Sequence, residues 1–222
     1  MTGLFRGDGV LAIWNGIAAG KEDEFLHWHV GQHLPERLSV PGFLRARRYV
    51  SLDGDPRYFN FYEVRDVNVL TSPAYLERLN NPTDWTQAVV PHFTQTSRTL
   101  CNVVASKGHG CGGVVEAVRI DADHQDLLPL VDALAVEPDI SGVTLLSRHV
   151  AASSATSESR MRSAPDGSSR TILLIEGAKA DAVREVSRLV AADDIIERVC
   201  GAKPQARGAY QLDFLLDAAD LQ

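Results

Sequence analysis

The chain carries the same short patterns twice, and this internal repeat restricts its fold more than any other feature. Gly42 is followed six residues later by Arg48, and Gly142 by Arg148, an offset of 100 positions. The segment 57–63 matches 170–176 at an offset of 113. Since about 100 residues suffice for a small domain, the sequence predicts two similar units, 1–108 and 109–222.

Hydrophobic periodicity gives both units the same order of elements. In the first unit, it predicts strands at 9–17, 43–52, 57–64 and 96–105, with helices at 22–37, 73–80 and 83–92. In the second unit, it predicts strands at 113–120, 142–151, 170–177 and 207–216, with helices at 123–136, 181–190 and 193–199. The order β-α-β-β-α-β is that of the ferredoxin-like split motif.

The predicted strands are apolar on both alternations, as the segment 43–50 shows. A sheet with one face in water alternates more cleanly, so we expect cover on both faces. The predicted fold class is α+β: two tandem ferredoxin-like βαββαβ repeats that form an intramolecular α+β barrel. The Ser-, Ala- and Gly-rich run 153–169 is predicted to be a mobile hairpin loop.

Composition excludes several classes of partner. The chain has 22 basic and 29 acidic residues and a net charge of −7, which disfavours binding to nucleic acid or an anionic membrane. No apolar run reaches the roughly 18 residues that span a bilayer. Its three cysteines are widely spaced and include no C-x-x-C pair, so a cytoplasmic location is expected.

The two units differ in their aromatic residues. Of the 15 aromatic residues, 13 precede residue 108, together with four of the seven histidines. Rigid aromatic rings and titratable groups are what a small-molecule pocket needs. We therefore expect one pocket, in the first unit, with the second unit a degenerate copy.

A histidine cluster is the strongest candidate for chemistry in that pocket. His29 and His33 are four residues apart and share one face of the predicted helix, while His27 points elsewhere, toward solvent. Pro35 lacks an N–H and should loosen the helix near His33. A histidine at such a position can act as acid or base near neutral pH.

Arginines on the following strand are the second candidates. Strand alternation puts Arg47 and Arg48 on opposite faces. Arg48 has its counterpart in Arg148, and we expect it to pair with Glu63, as Arg148 would pair with Glu176. Arg45 and Arg47 have no counterpart and are the better ligand candidates, and either Arg47 or Tyr62 is predicted to stabilise an oxyanion. Further candidates for substrate binding are Trp14, Trp28, Arg45, Tyr49, Tyr58, Asn60 and Trp85.

Motifs of the first unit resemble the dimeric α/β-barrel superfamily, particularly EthD-like and neighbouring families. The resemblance covers most of residues 9–106 and rests on the segment His29-x3-His33-Leu-Pro-Glu-Arg, then Pro41-Gly-Phe, Arg47-Arg-Tyr and Tyr58-x3-Tyr62-Glu. It implies a pocket between the helices and the sheet of one repeat, with His33 as the motif histidine. The superfamily includes cofactor-free oxygenases, lactone isomerases, polyketide cyclases, dehydratases and haem-using enzymes.

The sequence therefore predicts an enzyme that acts on a small apolar or aromatic molecule by cofactor-free acid–base chemistry. His33 would be the proton shuttle and His29 its partner, in a lyase, isomerase or monooxygenase type of reaction. A non-catalytic ligand-binding or stress-related protein is a second hypothesis. A third is an enzyme with a divalent metal, held by His29, His33 and Glu36, or with haem. Further assembly into a homodimer stays open.

Overall fold

The first half of the chain is built from four strands and two helical connections. The computed structural model describes residues 4–150, 156–162 and 167–221. The strands of the first half are β1 (Gly9–Ile17), β2 (Phe43–Ser51), β3 (Tyr58–Val64) and β4 (Phe93–Gly108). Its helices are α1 (Glu22–Trp28), a π-helical turn (His29–His33), α2 (Leu34–Leu38), α3 (Pro73–Asn80) and α4 (Asp84–Val89). Short 3-10 turns lie at Val67–Thr71 and Val90–His92.

The second half repeats this order. Its strands are β5 (Val114–Ile120), β6 (Ile140–Arg148), β7 (Thr171–Gly177) and β8 (Pro204–Asp217). Its helices are α5 (Leu128–Ala135), α6 (Ser157–Arg160), α7 (Ala180–Val190) and α8 (Asp193–Cys200), with 3-10 turns at Gln125–Leu127 and Ala218–Leu221. The element α6 has no counterpart in the first half, since it lies in the long β6–β7 connection.

The eight strands close into one antiparallel barrel. Its strand order is β1-β3-β2-β8-β5-β7-β6-β4, and β4 pairs with β1 to close the ring. The two halves join along β2–β8, where Arg48 lies opposite Phe214, and along β4–β6, where Cys101 lies opposite Arg148. Both joints are main-chain hydrogen-bonded ladders, so the barrel is continuous across the halves.

Alternation along each strand sorts side chains between the barrel interior and the helices outside. The interior is an apolar cluster to which both halves contribute, with Trp14 and Phe59 stacked at 4.3 Å. Separate apolar clusters lie under the helices of the first half and of the second half. The expectation that both faces of the strands are covered is therefore confirmed.

A buried ion cluster joins the halves inside the barrel. Arg47 donates to Glu63 of β3 at 3.0 Å and to Glu176 of β7 at 2.6 Å. Arg45 adds a 2.7 Å contact to Glu63, and the Tyr49 hydroxyl donates to Glu176 at 3.2 Å. One guanidinium thus links two carboxylates that occupy matching positions of the repeat.

The structure corrects three sequence predictions. The predicted pairing of Arg48 with Glu63 is wrong, because the two side chains lie on opposite faces of the sheet and Arg48 pairs with Asp213 at 2.6 Å. The helix predicted over 22–37 is interrupted by the π-helical turn. Within the run 153–169, residues 156–162 form a short helix and its flanks, whereas 153–155 and 163–166 lie outside the described residues.

The ion cluster predicts a pH-dependent loss of stability. In Arg47→Met, the Glu176 carboxylate keeps only the Tyr49 hydroxyl, and we expect unfolding to become easier by about 3–5 kcal/mol. Burial raises the pKa of Glu176, so the folded variant takes up a proton more readily than the unfolded chain. Stability should therefore recover as the pH falls and decline as it rises.

Urea unfolding between about pH 5 and 8 measures this effect. The double variant Arg47→Met/Glu176→Gln should regain part of the loss and show a flatter pH profile. The matched control is Arg65→Met, since that side chain is 71% exposed. Equal unfolding midpoints for Arg47→Met and Arg65→Met would contradict a structural role for the cluster.

Candidate functional site

A small cavity lies between the helices and the sheet of the first half. Its volume is about 30 Å³, enough for about two water molecules. The floor comes from β1, β3 and β4, one wall from the helical segment 28–37, and another from the segment 156–162. Its polar lining residues are His29, His33, Arg37, Asn60, Tyr62, Tyr75, Thr96, Arg98, Glu158 and Arg162.

The two histidines lie on the π-helical turn, and Pro35 explains why that turn is there. A proline has no N–H and crowds the carbonyl four residues before it, so a regular α-helix cannot continue through Pro35. The chain widens instead: the Leu34 N–H bonds to the carbonyl of His29, five residues back. Such π-turns are frequent at functional sites. The sequence prediction that the helix loosens near His33 is confirmed.

Contacts with Arg48 and Tyr62 determine the tautomer of His29. The Arg48 guanidinium faces Nδ1 of His29 at 3.4 Å, and the Tyr62 hydroxyl faces Nε2 at 3.4 Å. Because a guanidinium only donates, Nδ1 is the acceptor and the proton lies on Nε2. The hydroxyl of Tyr62 then accepts from His29 and keeps its own proton for another acceptor.

His33 is held between two rings. Its centroid lies 4.3 Å from that of Trp28 and 5.4 Å from that of His29, with the two imidazoles nearly parallel. Trp28 is fixed in turn, since its indole N–H donates to Thr86 of α4 at 3.2 Å. This stacking fixes the His33 ring against the cavity.

Both histidines are neutral near pH 7. Burial is the main cause: it lowers the pKa of His29 and of His33 well below 6.5, because a charged imidazolium would lose its hydration. Arg48 and Arg37 lower the pKa of His29 further, and Arg37 does the same for His33. Burial also raises the pKa of the Tyr62 hydroxyl.

An ion pair between the two halves closes the cavity. Arg37 of the first half donates to Glu158 in α6 of the second half, and both side chains are buried. The segment is anchored by a capping box between Thr156 and Ser159 and by a 3.1 Å bond from the Ser157 N–H to Asn80 of α3. A residue 121 positions away in sequence therefore forms part of the wall.

Three buried polar atoms of residues that line this cavity have no hydrogen-bond partner within the described part of the chain. They are Nδ1 of His33, Nη1 of Arg37 and Oδ1 of Asn60. Buried polar atoms are normally satisfied, so three unsatisfied atoms at one cavity need an explanation. A base and a cationic donor, four residues apart on one helical segment, are the combination that stabilises an oxyanion as its proton leaves.

The structure brings together part of the predicted site. His29, His33 and Tyr62 meet at the cavity, and Trp28 and Asn60 line it. His27 is exposed on the same helix, as predicted.

Six predicted site residues lie elsewhere. Trp14, Tyr49 and Arg47 face the barrel interior, on the opposite side of the sheet from the cavity. Arg45 pairs with Glu63. The Tyr58 hydroxyl donates to Glu22 and its ring packs against Phe25. Trp85 is 39% exposed and covers Gly31 from outside.

The predicted metal ligands do not assemble. Across the residues that the structure describes, no three His, Cys, Asp or Glu side chains are placed to hold a metal ion. Glu36 lies beside Arg37, 4.0 Å from its Nη1, and does not line the cavity with the histidines. In this structure the side chains of His29, His33 and Glu36 therefore do not converge on one point.

Sequence reasoning missed the cationic side of the site. Arg37 follows His33 by four residues, as His33 follows His29, so the helical spacing contained this signal. Arg98 and Tyr75, joined at 3.3 Å, come from β4 and α3 and carry no such signal. Glu158 lies in a segment predicted to be a mobile loop.

Comparison with known proteins identifies the fold. No protein-family model and no curated protein matches the sequence. An anthrone oxidase-like protein superposes with a TM-score of 0.66 at 13% identity, covering 99% of this chain and 97% of that one. A candidate monooxygenase of Fusobacterium nucleatum gives 0.54 at 13% identity, covering 96% of both chains. A haem-binding protein of Thermus thermophilus gives 0.50 at 8% identity, covering 97% and 93%.

At these identities the likeness shows the fold alone, which this chain shares with these proteins. The match runs over nearly the full length of each protein, so it covers both halves of the barrel. Within the described ranges, no helix is long and apolar enough to cross a membrane.

The electrostatics of the cavity predict that both histidines stay neutral in mildly acidic solution. At about pH 6, a histidine of the unfolded chain is mostly protonated, whereas His29 and His33 should keep the ¹⁵N shifts of neutral rings. The unfolded chain then binds more protons than the folded one. The free energy of unfolding should therefore fall as the pH drops below about 6.5, by up to 1.4 kcal/mol per pH unit for each histidine.

Side-chain ¹⁵N NMR of the folded protein, with the urea-unfolded chain as reference, measures both states. Titration of His29 or His33 at or above the reference midpoint would show that the cavity is wet and open. The tautomer is read in the same spectra: His29 should carry its proton on Nε2.

Proposed function

We propose that this protein is an enzyme that removes a proton from a weakly acidic C–H or O–H bond of a small aromatic molecule without a cofactor. His33 is the base, and Arg37 stabilises the oxyanion that forms. The reaction is of the oxygenase type, in which the resulting carbanion or phenolate is oxidised by dioxygen. Lyase and isomerase reactions begin with the same proton transfer and are the alternatives.

The unsatisfied Nδ1 of His33 carries this proposal. It is buried at the cavity, it belongs to a ring that is neutral near pH 7, and stacking fixes the ring. A neutral imidazole with a free nitrogen is ready to accept a proton, whereas an imidazolium is not. A purely structural buried histidine would have both nitrogens satisfied.

Arg37 supplies the second requirement. Its Nη2 donates to Glu158, whereas its Nη1 has no hydrogen-bond acceptor among the described residues, the carboxylate of Glu36 being 4.0 Å away. A carbonyl or phenolic oxygen of the substrate fits as the missing acceptor. Because the cavity is shielded from water, the charge that develops on that oxygen is stabilised more strongly there than at the surface.

His29 and Tyr62 have a supporting role. With its proton on Nε2, His29 donates to the Tyr62 hydroxyl, which can then donate to the substrate oxygen from the strand side. Arg48 keeps His29 neutral and in this tautomer. His29 and Tyr62 thus position the hydrogen bond to the oxyanion, whereas His33 accepts the proton.

The size of the cavity limits the substrate. About 30 Å³ accommodates water or dioxygen, whereas sites for drug-sized molecules measure about 300–1,000 Å³. Binding of an aromatic ring therefore requires one wall to move outward. The segment 156–162 is one such wall: it contributes two lining residues, Glu158 and Arg162, and is joined to the helical wall through the Glu158–Arg37 ion pair.

The likeness to an anthrone oxidase-like protein supports the oxygenase reaction. Anthrone has an acidic CH₂ group conjugated to a carbonyl, so loss of one proton yields a delocalised oxyanion. Reaction of that anion with dioxygen gives anthraquinone and water: C₁₄H₁₀O + O₂ → C₁₄H₈O₂ + H₂O. Such a substrate presents an acidic C–H to His33 and a carbonyl oxygen to Arg37.

The two histidines of this site are not placed as haem ligands. His29 uses both ring nitrogens, and His33 lies between two other rings. No step is routed through haem.

We also infer that each half is a ferredoxin-like repeat. The neighbour order β4-β1-β3-β2 in the first half and β8-β5-β7-β6 in the second supports this, because fourth-first-third-second is the order of the split βαβ motif in each case. The domain division at residues 108 and 109 falls in the connection between β4 and β5.

Solvent exchange of anthrone under anaerobic conditions tests the proton transfer apart from any oxidation. Wild-type protein should accelerate deuterium incorporation at the CH₂ group, followed by ¹H NMR in D₂O. His33→Gln should lower this rate at least about a hundredfold while anthrone affinity and melting temperature stay nearly unchanged. The matched control is His27→Gln, an exposed histidine on the same helix, which should keep the full rate.

The oxyanion role has its own variant. Arg37→Gln alone removes the nearer of the two arginines that pair with the buried Glu158 and leaves Arg162 at 3.9 Å, so the double variant Arg37→Gln/Glu158→Gln is used instead. It should fold, bind anthrone and exchange slowly. Saturable anthrone binding with no accelerated exchange in wild type would instead establish the ligand-binding protein, the second candidate function.

A further inference from the structure

A second cavity lies on the opposite half of the barrel. Its volume is about 520 Å³, within the range of small-molecule sites. It opens between β5, β8 and the helices α7 and α8, with Asp53 of the β2–β3 turn at its rim. The sequence places the functional pocket in the first half alone, so this cavity is unexpected.

The floor of the second cavity matches the floor of the first. Arg98 lies opposite Ile13, the fifth residue of β1, and Arg207 lies opposite Val118, the fifth residue of β5. Both arginines line their respective cavities. The third residue of β1, Leu11, lines the first cavity, and the third residue of β5, Glu116, lines the second.

Arg207 is fully engaged in the second cavity. It contacts Glu116 at 2.6 Å, Asp193 at 2.8 Å, Ser187 at 2.7 Å and the carbonyl of Ala191 at 2.6 Å. Arg207 therefore pairs with two carboxylates, and its charge is fully offset within this network. This network holds the Arg207 side chain in place on the floor of the cavity. A ligand would therefore have to take its hydrogen bonds from other residues.

Two other arginines retain unused donors. Arg184 and Arg188 are four residues apart on α7 and so share a face of that helix. Arg184 pairs with Asp53 at 2.7 Å, but its Nε is buried and without an acceptor among the described residues. Arg188 forms no ion pair with any residue that the structure describes.

One arginine at this wall has no counter-ion among the described residues. The cavity has three arginines and three carboxylates, but Arg207 pairs with both Glu116 and Asp193, and Arg184 pairs with Asp53, which leaves Arg188. The N-terminus of α8 adds little to this charge, because Asp193 and Asp194 lie in its first turn.

We propose that this second cavity binds a small organic anion, a carboxylate or a phosphate monoester, through Arg184 and Arg188. The guanidinium groups present paired donors that match the oxygens of either anion. Ala192, Gly208 and Ala209 provide small walls beside them, which leave room for the organic part of the ligand. This site is separate from the His33 cavity and does not depend on its function.

Titration of the full-length protein with benzoate and with phenyl phosphate tests this site, with uncharged benzyl alcohol as the reference. Saturable ¹H–¹⁵N shifts are expected at residues 184–193 and 207–209 for at least one anion, and none for benzyl alcohol. Comparison of the two anions shows whether the carboxylate or the phosphate is preferred.

Variants locate the binding groups. Arg188→Gln and Arg184→Gln should each weaken the bound anion about tenfold or more, since each removes charge-assisted hydrogen bonds. The matched control is Arg198→Gln on α8, an exposed arginine with an i,i+4 carboxylate partner and no place at the cavity. The affinity of the Arg198→Gln variant for the anion should stay within about twofold of wild type.

Three outcomes would overturn the proposal: no saturable shift with either anion up to about 10 mM, equal binding of benzyl alcohol, or equal weakening by Arg198→Gln. Melting temperatures show that each variant is folded. His33→Gln should bind the anions like wild type, which keeps this test independent of the first cavity.

Discussion

Closure of the barrel is the constraint on which the other features depend. Each of the eight strands is hydrogen-bonded on both edges, so none is left as an exposed edge. Every strand residue then faces either the interior or the helices. The interior is filled by aromatic and aliphatic side chains together with the Arg47 cluster. The two cavities described above therefore both lie on the helix side of the sheet.

The same sorting explains which site residues could be predicted. Alternation along β2 and β3 correctly separates Arg47 and Tyr49 from Arg48, and it groups Asn60 with Tyr62. It does not tell which of the two faces is turned to the helices, because both faces are apolar. The lack of a repeat counterpart made Arg47 the favoured ligand, yet Arg47 is needed once, at the barrel centre, to neutralise two repeated glutamates. Because Arg47 lies between the two matching glutamates, the barrel has room for one such residue, and the second half has no equivalent of it.

Local signals in the helical segment predicted more. Pro35 indicated the break, and the structure shows it as a π-helical turn that holds His29 and His33. The spacing of the histidines also extends to Arg37. What sequence could not indicate is the partner of Arg37, since Glu158 is 121 positions away on a segment of polar composition. An ion pair between residues so far apart in sequence depends on how the two halves pack together. No local sequence pattern specifies that packing.

The two cavities show how one floor can support different chemistry. Both place an arginine opposite the fifth residue of the first strand of the half. In the first half the cavity is small and lined by neutral histidines, so a charge there is weakly screened, and an anion is best stabilised as it forms from a neutral substrate.

In the second half the cavity is wide and its arginine wall includes exposed groups, so water and salt screen the charge of that wall. Such a wall suits an anion that is already charged in solution, because little hydration is lost on binding. The third residue of the first strand of each half contributes to this difference: Leu11 puts an apolar side chain beside Arg98 in the first cavity, whereas Glu116 pairs with Arg207 in the second.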